Sequence, residues 1–223
     1  MEGISTRMAD QAARHIKGAS IAWGGGRIYD FDNPNPEVIT LEDAAYALAY
    51  TVRWRGQTVR VHRPWWRRAL HLDPARCFFG VGQHCVFGAE EMLASGRHPK
   101  HALAFLWHEP DEVPLPDMPG PVKPRLPGWR EFAHKQGVAV LDRFGIAIPD
   151  PDLIKAWDIR MMVTEKRDLL TGHGGDRFHT SHHVTIKEAD FPPFARRIIP
   201  YRHPDQAARR FLELHHQLTV LAA

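Results

Sequence analysis

The chain has 223 residues, 43% of them hydrophobic and 25% charged, and its 29 Lys and Arg against 26 Asp and Glu leave a formal charge of +3. These are the proportions of an ordinary globular chain, and the length suits a single domain with a core that needs no staples. No apolar run approaches the roughly 18–20 residues of a membrane span, Arg7, Asp10, Arg14 and Lys17 interrupt any signal-peptide core, and Cys77 and Cys85 form no disulfide framework or paired zinc knuckle, so membrane and secreted classes drop out and the expected compartment is the cytoplasm.

In chain order, residues 1–26 read as a flexible leader that closes on Gly24, Gly25 and Gly26. Residues 27–223 read as a single domain. Asn33, Pro34, Asn35 and Pro36 mark an irregular loop, beside a short strand pair at Arg27–Phe31. Thr40 and Asp43 resemble a capping box, and Leu41, Ala44, Ala45, Leu48 and Val52 fall at helical spacing, which predicts a helix near 41–54. A second helix is expected over 83–95, stopped by Gly96. A third starts at Pro99 and covers His101–His108, and a fourth runs near 128–144 up to Gly145. The fifth opens with Asp150 as cap and Pro151 in its first turn and reaches Gly172; the last follows Pro204 to about Leu221. Convincing alternating strands are absent, so the fold class is all-α. Two segments interrupt the helices. Residues 53–76 carry seven arginines and three tryptophans against one acid, Asp73, with a basic insertion at about 59–76; residues 110–127 hold seven of the 18 prolines.

At about 100° per residue, His101, Phe105, His108 and Glu112 share one stripe of the third helix and its extension, with Glu109 beside His108. An adjacent imidazole and carboxylate at the end of an apolar helix can reach one metal, since nitrogen and oxygen donors suit Mn, Fe, Co, Ni or Zn. Further ligands are sought among polar residues on apolar faces. Asp158 lies on the stripe of Ile154, Met161 and Leu169, where a solvated carboxylate is out of place. Glu165 shares that stripe and competes with it, with Arg167 or Lys166 as its partner. His84 opens the second helix beside Val86 and Phe87.

A histidine, then a histidine–acid pair, then an aspartate, each from a separate helix, resembles the HD-domain metal-dependent phosphohydrolases, in particular their 5'-deoxynucleotidase-like branch. The similarity runs through Gly26 to Pro34, Leu41–Ala49, Arg53-Trp54, Gln83-His84, His108 to Asp117, Asp158, Thr164-Glu165 with Arg167 to Leu169, and Pro200 to Leu212. The resemblance implies an HD-type helical bundle in which His84, His108, Glu109 and Asp158 hold one divalent transition metal. It implies that Glu112 acts on the attacking water, that Asp117 contacts substrate, and that Arg53 and Trp54 meet phosphate and deoxyribose. Lys123 is a second candidate for the phosphate oxygens. The implied reaction is hydrolysis of a deoxynucleotide phosphoester, to nucleoside plus phosphate or, from a triphosphate, to nucleoside plus triphosphate. Homo-oligomers are common among such enzymes. Three departures stand out: Glu109 replaces the family's aspartate, Pro110 follows at once and kinks the chain where Glu112 is aimed, and the basic stretch lengthens the link between Trp54 and His84. The competing reading is a catalytically silent module that keeps the helical scaffold and binds a nucleotide or nucleic acid.

Two other signals carry less. His173, His179, His182 and His183 sit in a loop composition; a second metal there competes with plain surface histidines. Arginines with Trp65 and Trp66 suit nucleic acid or a protein interface, but a charge of +3 does not demand nucleic acid, which is not an expected partner.

Overall fold

The computed structural model describes residues 18–60, 75–170, 177–179, 185–187 and 190–222, with 177–179 and 185–187 described by their backbone alone. The chain divides into two compact units, Met1–Thr40 and Leu41–Ala223.

In the first unit, strands β1 (Ser20–Trp23) and β2 (Arg27–Asp30) pair antiparallel, with Ser20 opposite Asp30 and Trp23 opposite Arg27. The hairpin therefore extends N-terminally of the strand pair expected at 27–31. Gly25 and Gly26 turn the chain at φ 69° and 74°, a region that side chains with a Cβ rarely enter. The Asn-Pro loop beyond is tied by its own side chains: Asp30 Oδ1 accepts from the Asp32 and Asn33 amides, and Asn35 Oδ1 accepts from the Asp30 amide.

The second unit is largely helical. Its helices are α1 (Leu41–Tyr50), α2 (Val81–Ala94), α3 (Pro99–Leu106), α4 (Trp129–Phe144), α5 (Pro151–Leu169) and α6 (Pro204–Ala222). Local chemistry sets their ends. Asp150 Oδ1 accepts from the Leu153 amide, 3.0 Å, and Pro151 occupies the first turn of α5. Gly145 terminates α4 in the left-handed region, with Ile146 N–H donating back to the Leu141 carbonyl. A second antiparallel pair, β3 (Arg177–His179) and β4 (Thr185–Lys187), qualifies the all-α expectation: the fold is mostly helical with two short hairpins among the described residues.

The core lies where α6 packs on α1, α2 and α3, and α2 on α1, α3 and α5. Helix α6 buries Ala207, Ala208, Phe211, Leu214 and Leu218, one stripe at helical spacing. Helix α2 is buried nearly all round, and its close approaches are made at glycines. A Cβ on Gly82 would stand 2.8 Å from Ala49 Cα of α1, and one on Gly88 2.0 Å from Phe105 of α3. These contacts bring α1 and α3 against the helix that carries His84.

The expected third helix stops at Leu106 rather than running through His108. Pro110 bars Glu109 from helical geometry (φ −114°, ψ 54°), and Pro110–Glu112 form a separate 3-10 turn. His108 and Glu109 thus stand in a link between two turns. The Trp65-Trp66 segment and the His173, His182 and His183 group lie outside the described residues, as does the side chain of His179. Among the described residues no helix is long and apolar enough to cross a membrane.

Candidate metal centre

Helix α2 places His84 in the core, 0% exposed, and α5 approaches it with two carboxylates. Asp158 and Glu165 are seven residues apart, two helical turns and roughly 10 Å along the axis, so they share a face and flank one ring. Glu165 Oε1 lies 2.5 Å from His84 Nδ1, and Asp158 Oδ1 lies 3.5 Å from His84 Nε2. A carboxylate oxygen accepts, so Nδ1 carries the ring proton and leaves the Nε2 lone pair free.

His108 is held the same way by its backbone. Its Nδ1–H donates to the Phe105 carbonyl, 2.6 Å, and its ring stacks on Phe105 with centroids 4.1 Å apart. The carbonyl can only accept, so His108 also presents Nε2. The two Nε2 atoms are 3.0 Å apart, with Glu109 Oε1 3.7 Å and Asp158 Oδ1 3.8 Å from that of His108. One donor atom from each of His84, His108, Glu109 and Asp158 lies within 4.8 Å of the others. Asp158 Oδ1 is buried and accepts no hydrogen bond. The two ring nitrogens, Glu109 Oε1 and the unsatisfied Asp158 oxygen converge on one place, and this cluster can hold a metal ion.

The two rings differ electrostatically: burial would lower the His108 pKa, but Cys85 and Asp158 hold it well above its ordinary value. Burial and the Arg53 guanidinium push the His84 pKa below its ordinary value, keeping the ring neutral as a ligand must be. Burial would raise Asp158, but the His108 ring and the Lys155 ammonium, 2.8 Å from Oδ2, hold it well below the usual carboxylate range. Sequence reasoning missed Lys155, although its i,i+3 spacing to Asp158 on a helix announces the pair.

Arg53 and Trp54 arrive at the same place from the chain just after α1. Arg53 is 7% exposed and reaches Glu109 Oε1 at 3.6 Å and Glu165 Oε2 at 3.3 Å. Trp54 Nε1 donates to Glu165 Oε2, 2.7 Å. Trp54 and Arg55 both have φ 53°, a left-handed conformation that costs about 1–2 kcal/mol in each such residue. Glu165 therefore pairs with His84, Trp54 and Arg53, not with Arg167 or Lys166 as its neighbours suggest. Arg167 instead grips Asp168, with Nε and a terminal nitrogen 2.8 and 2.7 Å from its two oxygens.

Glu112 is 2% exposed with Oε2 unpartnered, and burial together with Glu109 and Asp117 raises its pKa well above the ordinary value. Burial and Glu109 likewise raise Asp117, against the pull of Arg53. Lys123 lies apart in the 3-10 turn Lys123–Arg125, lining a cavity of about 570 Å³ with His108, Asp111, Trp129 and His134. Burial, followed by Glu109, pushes Asp111 up to about 6. His101, placed on the same stripe by helical spacing, is not among the clustered donors.

No family model matches the chain. It is similar to a protein of Escherichia coli strain K12 named uncharacterized protein YfdR, 27% identical over 145 residues that make up 65% of this chain and 68% of that one. It is also similar to uncharacterized protein RCAP_rcc00048 of Rhodobacter capsulatus, 32% identical over 134 residues, 58% of this chain and 60% of that protein's length. Neither name states an activity.

Proposed function

We propose that the protein is an HD-domain metal-dependent phosphohydrolase of the 5'-deoxynucleotidase-like kind, acting on deoxynucleotides. The observation that carries this reading is the pair of Nε2 atoms turned to each other at 3.0 Å with Asp158 Oδ1 unsatisfied beside them. His84, His108, Glu109 and Asp158 would hold the cation, one of Mn, Co, Fe, Ni or Zn. When bound, such an ion lowers the pKa of a water and offsets charge on a phosphoryl group. The substrate class comes from the family resemblance. Glu109, Glu112, Asp117 and Glu165 act on the buried Arg53 guanidinium, and a phosphate would enter that acidic setting with a divalent cation to balance it.

Within this reading Glu112, with its Oε2 buried and unpartnered, takes the proton of the attacking water as the P–O bond breaks. Arg53 holds non-bridging oxygens through a planar guanidinium. Trp54 packs against the sugar, and Asp117 contacts the substrate. The cavity beside His108 has a volume within the range of small-molecule sites, and Lys123 on its wall is a second candidate for the phosphate oxygens.

The competing reading, a silent HD-like module that binds nucleotide or nucleic acid, rests on Glu109 and Pro110, which lengthen one ligand and break the helix there. The test is release of phosphate or triphosphate from a panel of deoxynucleotides with Mn or Co added, alongside metal content. Activity that His108→Ala abolishes supports the enzyme. A wild type that is inactive while Glu109→Asp is active establishes the silent module instead.

A further inference from the structure

Glu165 is a carboxylate 0% exposed on α5 that none of the steps above uses. Its two oxygens do different things. Oε1 meets His84 Nδ1 at 2.5 Å, and Oε2 accepts from Trp54 Nε1 at 2.7 Å and lies 3.3 Å from Arg53 Nε. The partners are remote in sequence, 81, 111 and 112 residues away respectively, and come from two separate segments, His84 from α2 and the adjacent Trp54 and Arg53 from the chain after α1. We infer that Glu165 is a positioning residue that aligns the cation-binding and phosphate-binding halves of one site: Oε1 holds the His84 ring with Nε2 toward the metal ligands, and Oε2 holds Trp54 and Arg53 toward the substrate. This rests on the phosphohydrolase reading for the substrate half, while the hold on His84 stands on the cluster alone.

Three observations support a positioning role over a merely structural ion pair. A carboxylate behind a ligating imidazole sets both ring orientation and which nitrogen keeps the proton. Trp54 sits in the left-handed region at φ 53°, a conformation that persists only when its surroundings over-determine it, and the indole bond to Glu165 is one such restraint. The indole and guanidinium share one oxygen, so neither can turn without disturbing the other. Glutamine at this position has one accepting atom, and it faces donors on both sides. If its oxygen serves Trp54 and Arg53, its NH2 must donate to His84 Nδ1, which drives the ring proton to Nε2 and blocks the ligand atom. If its oxygen serves His84, the NH2 confronts the indole and guanidinium N–H groups.

The test compares the full chain with Glu165→Gln and Glu165→Asp. Mn²⁺ affinity is read by calorimetric titration, the Co²⁺ site by its visible absorption, and KM and kcat on deoxynucleotides. Glu165→Gln is expected to weaken Mn²⁺ binding roughly 10–100-fold, to change the Co²⁺ spectrum, and to raise KM as well as lower kcat. Glu165→Asp, which keeps two accepting oxygens, is expected to recover part of each. A folded Glu165→Gln with wild-type Mn²⁺ affinity and an unchanged Co²⁺ spectrum overturns the inference. Should the glutamine variant not fold, nitrogen NMR of the wild-type ring decides it: His84 protonated at Nδ1 supports the assignment, and protonation at Nε2 refutes it. A wild type that binds Mn²⁺ yet hydrolyses no nucleotide ends the phosphohydrolase reading while the affinity and NMR arms still decide the hold on His84. A protein that binds no divalent cation overturns both.

Discussion

Helix α5 carries two buried carboxylates ten residues apart, and their surroundings are opposite. Asp168 is 1% exposed and saturated: Arg167 donates to both oxygens, Arg197 donates to Oδ1 at 2.9 Å, and the Ile198 amide donates to Oδ2 at 2.9 Å. Asp158, 7% exposed, pairs one oxygen with Lys155 and leaves the other bare before two imidazole lone pairs. Burying a charge is costly unless it is paired and hydrogen-bonded. The Asp168 charge is met within the chain, where it clamps the 194–198 segment to α5. The Asp158 charge is met by Lys155 and the His108 ring, and its open oxygen lies in the cluster that can hold a metal ion. Saturation, more than burial, separates a structural acid from a candidate ligand.

The sharpest way to break this contrast is to remove each acid. Asp168→Ala is expected to destabilise the fold by about 1–3 kcal/mol, since it removes the acceptor of the buried Ile198 amide, and to leave Mn²⁺ affinity of the folded fraction intact. Asp158→Ala is expected to do the reverse. Mn²⁺ binding falls by more than the roughly 100-fold typical of losing a residue behind a ligand, with denaturant stability of the metal-free protein near wild type. Equal losses of stability in the two variants would erase the distinction.

A smaller effect should follow from Gly88→Ala. The added methyl meets Phe105, whose ring stacks on His108 and whose carbonyl holds His108 Nδ1. Overpacking costs about 1–3 kcal/mol, and here it should also weaken Mn²⁺ binding severalfold. Stability lost without any change in affinity would show that Phe105 does not position His108. The sign of the pH dependence sharpens the same point. Without a cation, the 3.0 Å contact between the two Nε2 atoms needs a proton, which metal binding must displace. Mn²⁺ affinity is therefore expected to rise as pH climbs through the raised His108 pKa, above the ordinary imidazole range, and a flat profile would contradict the shared site. Smallest of all, Asp150→Ala removes the α5 cap and should cost about 1 kcal/mol, leaving Mn²⁺ affinity unchanged because the cap lies two turns from Asp158.

Most of the helical framework was legible before the structure. Caps and glycines mark their own boundaries because those effects are local, and α2, α4, α5 and α6 begin and end within a few residues of the expected positions. His84, His108, Glu109 and Asp158 were likewise visible as polar groups on or beside apolar faces, and the structure brings their donor atoms together. What eluded the sequence was partnership. Glu165 sits beside Lys166 and Arg167, which suggested a local pair, yet Arg167 turns to Asp168 and to the Phe194 and Arg196 carbonyls. The true partners of Glu165 lie 81 to 112 residues away and meet it only through helix packing.

The amino-acid order by itself determined where helices start and stop and which side chains turn inward, since capping, proline geometry and periodicity act within a few residues. Tertiary structure alone decided which of the inward acids would be satisfied. That choice depends on how closely α1, α3 and α5 approach α2, and for α1 and α3 the approach is set at Gly82 and Gly88, where a side chain would not fit.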